Sequence, residues 1–172
     1  MRNLNASILV LSLSAALLSA CGGSDEGAIV EDDDPEPSTI AASVTVTAAG
    51  DPALNGIYAT DGIYLNNVTK VNPVGGDPET CRFKFTGPRN ATTGRVMGGD
   101  IRYIPGTNSL HVTFIDINSV EFRLDGTTGA SVDRANNEID FTGAVLVSTQ
   151  ATGQSITLTG SIPMLPNRPE GC

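Results

Sequence analysis

His111 is the single histidine in 172 residues, and so the one side chain whose ordinary pKa lies near neutrality. As the general base of a triad it would need a nucleophile on a sharp turn and an orienting carboxylate. No G-x-S-x-G or related elbow occurs in the sequence. The alternation from Leu110 to Ile117 places His111 beside Thr113 and Ile115, opposite Val112 and Phe114, as a surface or core histidine. Carboxylate pairs do acid/base work without histidine, and Asp116, Glu121, Asp125, Asp133, Glu138 and Asp140 are the candidates. Most alternate with apolar residues, as Glu138 and Asp140 do, and read as a solvated strand face. Asp116 is in phase with Leu110, Val112 and Phe114, which puts it at the rim of the core. Asp133, Asn136, Asn137 and Glu138 form an oxygen-rich loop cluster that is thin for a calcium site. No catalytic residue, metal or cofactor is expected from this set.

Basic residues are more concentrated. Arg82, Lys84, Arg89, Arg95 and Arg102 fall within one stretch of a chain that holds only ten Lys and Arg. If Arg82 and Lys84 share a sheet face with Arg95 or Arg102, they form a patch suited to phosphate-rich polymers or to the chain's own acidic segment. Charges that discourage sheet pairing account for them equally well. Asn67-Val68-Thr69 and Asn90-Ala91-Thr92 match the glycosylation acceptor pattern by chance. Against the ten bases stand 19 acids, a net charge of −9, which excludes the clustered positive surface that nucleic-acid binding needs.

The start of the chain is an address. Residues 1–20, MRNLNASILVLSLSAALLSA, carry Arg2 ahead of an uncharged, largely apolar run from Ala6 to Ala20, the pattern of a signal peptide. The run is short of the roughly 20 residues that span a bilayer. It ends in Leu18-Ser19-Ala20-Cys21, an apolar residue, two small ones and a cysteine, which resembles the lipobox of bacterial lipoproteins. That resemblance covers residues 1–21 only. It implies that the Cys21 thiol takes a diacylglycerol, that cleavage falls just before it, and that the new amino group is acylated as well. Two or three acyl chains anchor stably where one does not, each buried methylene adding about 0.8 kcal/mol. Gly22 rather than Asp follows the cysteine, which in this class favours the outer membrane.

With Cys21 given to lipid, Cys81 and Cys172 remain as an even pair in an oxidising compartment, and a disulfide between them is expected. It would fix the C-terminal segment Leu165 to Gly171, which has too little apolar surface to hold itself down. Residues 21–39 form the lipidated cysteine and an acidic tether. Asp25, Glu26, Glu31, Asp32, Asp33, Asp34 and Glu36 should repel one another, and the segment has almost nothing to bury.

Residues 40–172 read as one β-domain. No segment sustains helical periodicity; period-two alternation recurs instead. Val44 and Val46 oppose Thr45 and Thr47, and Cys81, Phe83 and Phe85 oppose Arg82, Lys84 and Thr86. Ile101 and Tyr103, then Leu110, Val112 and Phe114, then Val120, Phe122 and Leu124 continue the pattern. The inward sets of the last two strands are expected to be Ile139, Phe141, Gly143, Val145 and Val147, and Ile156, Leu158, Gly160, Ile162 and Met164. Each carries a Gly at the same place, a bulge or close-contact point. Asp61-Gly62 predicts a hairpin, and Pro105 to Asn108 and Asn118-Ser119 predict two more turns. About eight or nine antiparallel strands fit a β-sandwich or a small β-barrel.

The expected function is that of a non-enzymatic cell-envelope lipoprotein whose β-domain binds an envelope protein or polymer or supports assembly, attached to the membrane through its lipid. The alternatives are a small barrel that carries an apolar ligand or inhibits an envelope enzyme, and a carboxylate-based hydrolase.

Overall fold

A computed structural model describes residues 34–73, 75–150 and 153–172. Its strands are β1 (Glu36–Pro37), β2 (Ala42–Thr47), β3 (Gly56–Thr60), β4 (Tyr64–Leu65), β5 (Thr69–Val71), β6 (Thr80–Asn90), β7 (Val96–Tyr103), β8 (Leu110–Ile117), β9 (Val120–Asp125), β10 (Ala130–Asp133), β11 (Glu138–Ser148) and β12 (Ser155–Pro163). The pairing order β6-β3-β2-β12-β11-β9-β8-β7 returns to β6 through the β6–β7 ladder, closing an eight-stranded antiparallel barrel. The fold is thus all-β, and of the two architectures expected it is the barrel. Closure leaves no long strand edge unpaired, which suits a chain with so few charges to guard one.

The four remaining strands are accessory. Residues 56–71 run antiparallel along one edge of β6 in three pieces: Tyr58 opposite Asn90, Tyr64 opposite Thr86 and Thr69 opposite Arg82. β10 continues β9 along β11 in the same way. The Asp61-Gly62 hairpin is therefore not formed. β3 and β4 lie in line on the same partner, and the chain between them detours to meet the N-terminal segment. There the Ser38 backbone N–H donates to the Ile63 carbonyl at 3.0 Å and the Ile63 N–H donates to the Ile40 carbonyl at 2.9 Å. The long edge of β6 and the burial of Ile63 outweigh the local turn preference of the dipeptide. The sheet begins at Glu36 rather than Ile40, because β1 pairs with β4. The Asn118-Ser119 turn does join β8 to β9, both residues with positive φ (52° and 71°) as such a hairpin demands.

Inward side chains fill the barrel. Tyr58, Tyr103, Phe83, Phe85, Phe122, Met97, Ile101, Ile115 and Ile139 are each at most 2% exposed, and eight strands leave an interior just wide enough for such a filling. Each fully buried apolar side chain contributes about 1.5–3 kcal/mol. The Tyr58 hydroxyl donates to the Leu54 carbonyl and the Tyr103 hydroxyl to the Cys172 carbonyl, both at 2.9 Å. Each phenol thereby keeps a partner after leaving water.

Two bulges correct the expected inward sets. At His111 the pairing shifts from Tyr103–Leu110 to Arg102–Val112, so one residue is extra. From there Thr113, Ile115 and Ile117 face the core, while Val112, Phe114 and Asp116 lie on the opposite face, where Val112 is nonetheless buried. At Gly143 (φ +69°) the pairing shifts again, from Thr142–Thr159 to Ala144–Leu158. Ala144 and Leu146 then point inward, and Val145 and Val147 are 52% and 54% exposed. Period two holds on either side of each bulge, but its phase does not. Gly160, the counterpart on β12, instead lies against the Ser43 carbonyl, where a Cβ has no room.

Candidate functional site

A groove of about 780 Å³ lies on the outside of the barrel across β6, β7 and β8. Its floor is made by an absence of side chain. Gly98 faces outward between Thr86 on β6 and Asp116 on β8, its cross-strand partners. Gly99 faces inward, where a Cβ would stand 2.7 Å from the Phe85 ring. One glycine opens the trough, and the next lets the core close beneath it.

The upper wall is cationic. Arg82 and Lys84 on β6 and Arg102 on β7 line it together with Asp100. The Arg82 guanidinium grips the Asp100 carboxylate through Nε at 2.9 Å and Nη2 at 2.6 Å, and Arg102 reaches the same carboxylate at 3.3 Å through Nε and Nη2. Two guanidinium groups thus share one carboxylate, and Lys84 stands across the ladder from it. The Phe114 ring lies between two guanidinium groups, Arg102 at 6.0 Å and Arg123 at 5.5 Å from its centroid. Arg123 in turn holds Asp125 at 2.7 Å. The opposite end of the groove is acidic, with Asp116 directly across from Glu121. Partial burial, then repulsion from Glu121 and Asp100, pushes the Asp116 carboxyl above its usual range.

Of the four expected binding residues, Arg82, Lys84 and Arg102 converge and Arg95 does not. Arg95 lies at the turn end of the β6–β7 hairpin, 3.4 Å from Asp51. Asp116 is an outer groove residue and not a core-rim residue, since the bulge at His111 reverses the face on which Val112, Phe114 and Asp116 lie. The same shift hid Phe114, which alternation had placed inside. A histidine breaking an otherwise apolar run was the one available signal.

The other candidates are dispersed. His111 lines a small cleft with Asp77, 4.0 Å away, and with Thr80 and Arg102. Asp133, Glu138 and Asp140 bring carboxylate oxygens within 4.8 Å of one another. Asp133, however, is committed to the β10–β11 turn. It accepts bonds from the N–H groups of Ala135 and Asn136 and from the Asn136 amide, and those bonds hold its carboxyl below the usual range. Asn90 is buried and accepts from the N–H groups of Thr92 and Thr93, a structural role in the β6–β7 turn. Cys81 and Cys172 are bonded, with Cα atoms 5.6 Å apart, in line with the pairing expected from the cysteine count. Cys21 lies outside the described residues.

Fold and site together define a closed, side-chain-filled barrel that presents its groove on the outer surface. No protein-family model, curated protein or solved structure matches the chain.

Proposed function

We propose that this chain is a lipoprotein of the bacterial cell envelope, anchored through Cys21 to the outer membrane, and that its barrel is a non-enzymatic binding domain for a phosphate-bearing envelope component. The observation that carries the ligand assignment is the convergence of Arg82, Lys84 and Arg102 on one groove beside the Phe114 ring. Guanidinium forks match phosphate geometry. The acidic end, Asp116 and Glu121, repels a continuous polyanion and so selects a short anionic group over nucleic acid. Because side chains fill the lumen, the reading places the ligand outside the barrel and not within it. The anchor rests on the lipobox-like sequence at residues 18–21.

Calorimetric titration of the detergent-solubilised chain with tripolyphosphate tests the ligand. Saturable binding is expected, weakened by salt, and weakened about tenfold by Lys84→Gln or Arg102→Gln, the loss of one charge-assisted bond. Absence of binding, or variants that bind as the parent does, would exclude this ligand class. The anchor is tested separately: Cys21→Ala should abolish acyl labelling and release the protein from membranes.

A further inference from the structure

The groove holds its charges in rows. Cross-strand pairing sets Lys84, Asp100 and Phe114 side by side on β6, β7 and β8, and the next row is Thr86, Gly98, Asp116 and, on β9, Glu121. Rows of one face are two residues apart, about 6.7 Å, and neighbouring strands about 4.8 Å. Lys84 and Asp116 both line the groove, one row and two strands apart, so that about 12 Å separates their backbones. The bare backbone of Gly98 lies on the strand between them. That span, less the reach of a lysine and an aspartate side chain, suits a ligand whose opposite charges are a few atoms apart.

The acidic end is built against its own repulsion. Asp116 and Glu121 stand directly opposite on adjacent strands, an arrangement that destabilises a sheet. Glu121 is nevertheless held in place: its carboxylate accepts a bond from the Thr149 hydroxyl at 2.8 Å, and its carbonyl accepts one from the Thr149 N–H at 3.0 Å. The charges that act most on Asp116 are those of Glu121 and Asp100, both negative. A ligand that brings its own ammonium relieves this repulsion while its phosphate meets the cationic wall. The Phe114 ring does not compete for that ammonium, because Arg102 and Arg123 already flank it.

We propose that the groove takes a zwitterionic phosphoester, its phosphate at Lys84 and Arg102 and its ammonium, two carbons away, between Asp116 and Glu121. The assignment deepens the phosphate-binding reading above and rests on it. This chemistry is shared by a free ester and a lipid headgroup.

Calorimetric titration of the full chain in detergent micelles at low ionic strength compares phosphoethanolamine with ethyl phosphate, which lacks the ammonium. The parent should bind phosphoethanolamine about fivefold more tightly, the upper range for one exposed ion pair. Asp116→Asn should weaken phosphoethanolamine and tighten ethyl phosphate, because the charge removed attracts the first and repels the second. A residue with only a structural role would move both ligands in the same direction. Lys84→Gln should weaken both. Micelles doped with phosphatidylethanolamine separate the two sources: competition with phosphoethanolamine supports the lipid headgroup, and full binding in its presence supports the free ester. Equal affinity of the parent for phosphoethanolamine and ethyl phosphate, or an Asp116→Asn variant that shifts both alike, overturns the zwitterion. If tripolyphosphate still binds in that case, the phosphate reading stands alone; if none of the three ligands binds, both readings fall.

Discussion

Thr113 carries its hydroxyl into the barrel, fully buried and without a hydrogen-bond partner. An unsatisfied buried hydroxyl costs about 1–3 kcal/mol, and valine has nearly the same shape. Thr113→Val should therefore raise stability by about 1–2 kcal/mol in denaturant unfolding; a loss of stability would show that the hydroxyl is satisfied. Tyr58 and Tyr103 make a prediction of opposite sign in pH. Burial, the leading cause for both, raises their phenolic pKa above the ordinary value. The folded protein holds these protons to higher pH than the unfolded chain does. Their contribution is thus complete below about pH 10 and is lost as pH rises further. The unfolding midpoint should fall above that pH, and less steeply in Tyr103→Phe. At this scale the sequence was legible where chemistry depends on counting: the Cys81–Cys172 pairing follows from which cysteines remain after Cys21. It was illegible for Phe114 and Asp116, because side-chain direction depends on a bulge three to five residues earlier.

Strands were legible where alternation is uninterrupted. β2, β6, β7, β9 and β12 bury the residues their patterns indicate, Val44 and Val46 or Ile156 and Leu158 among them. β8 and β11 fail at their bulges. Gly143 announced one as a glycine in a strand; His111 gave no comparable conformational sign. Asp61-Gly62 shows the limit of turn chemistry: the dipeptide permits a hairpin, and pairing of β3 and β4 in line along β6 takes its place. The C-terminal segment supplies the prediction for elements. It is held by the Cys81–Cys172 bond and by the Tyr103 hydroxyl. With a sequence separation of 91, the bond removes about 4.6 kcal/mol of unfolded-chain entropy in the loop-closure treatment, an upper value. Reduction, or Cys81→Ser with Cys172→Ser, should lower the midpoint of thermal unfolding by many degrees. A shift of only a degree or two would mean the segment holds its place without the bond.

Across the whole molecule, the choice between sandwich and barrel was beyond alternation, because it rests on the β2–β12, β3–β6 and β9–β11 ladders, which join strands that are not consecutive in the chain. The groove has a different difficulty: Arg82, Arg102 and Phe114 come from three consecutive strands, and Phe114 reaches the outer face only through the bulge at His111. The filled interior and the grooved exterior then divide the labour: the core supplies stability, and the outer face of β6, β7 and β8 supplies the binding surface. Amide chemical-shift mapping of the uniformly ¹⁵N-labelled chain during titration with tripolyphosphate tests this division most directly. Saturating shifts are predicted at residues 82–86, 98–102 and 113–116, with little change across β2, β3 and β12. No shifts, or shifts centred on β2, β3 and β12, would contradict the account.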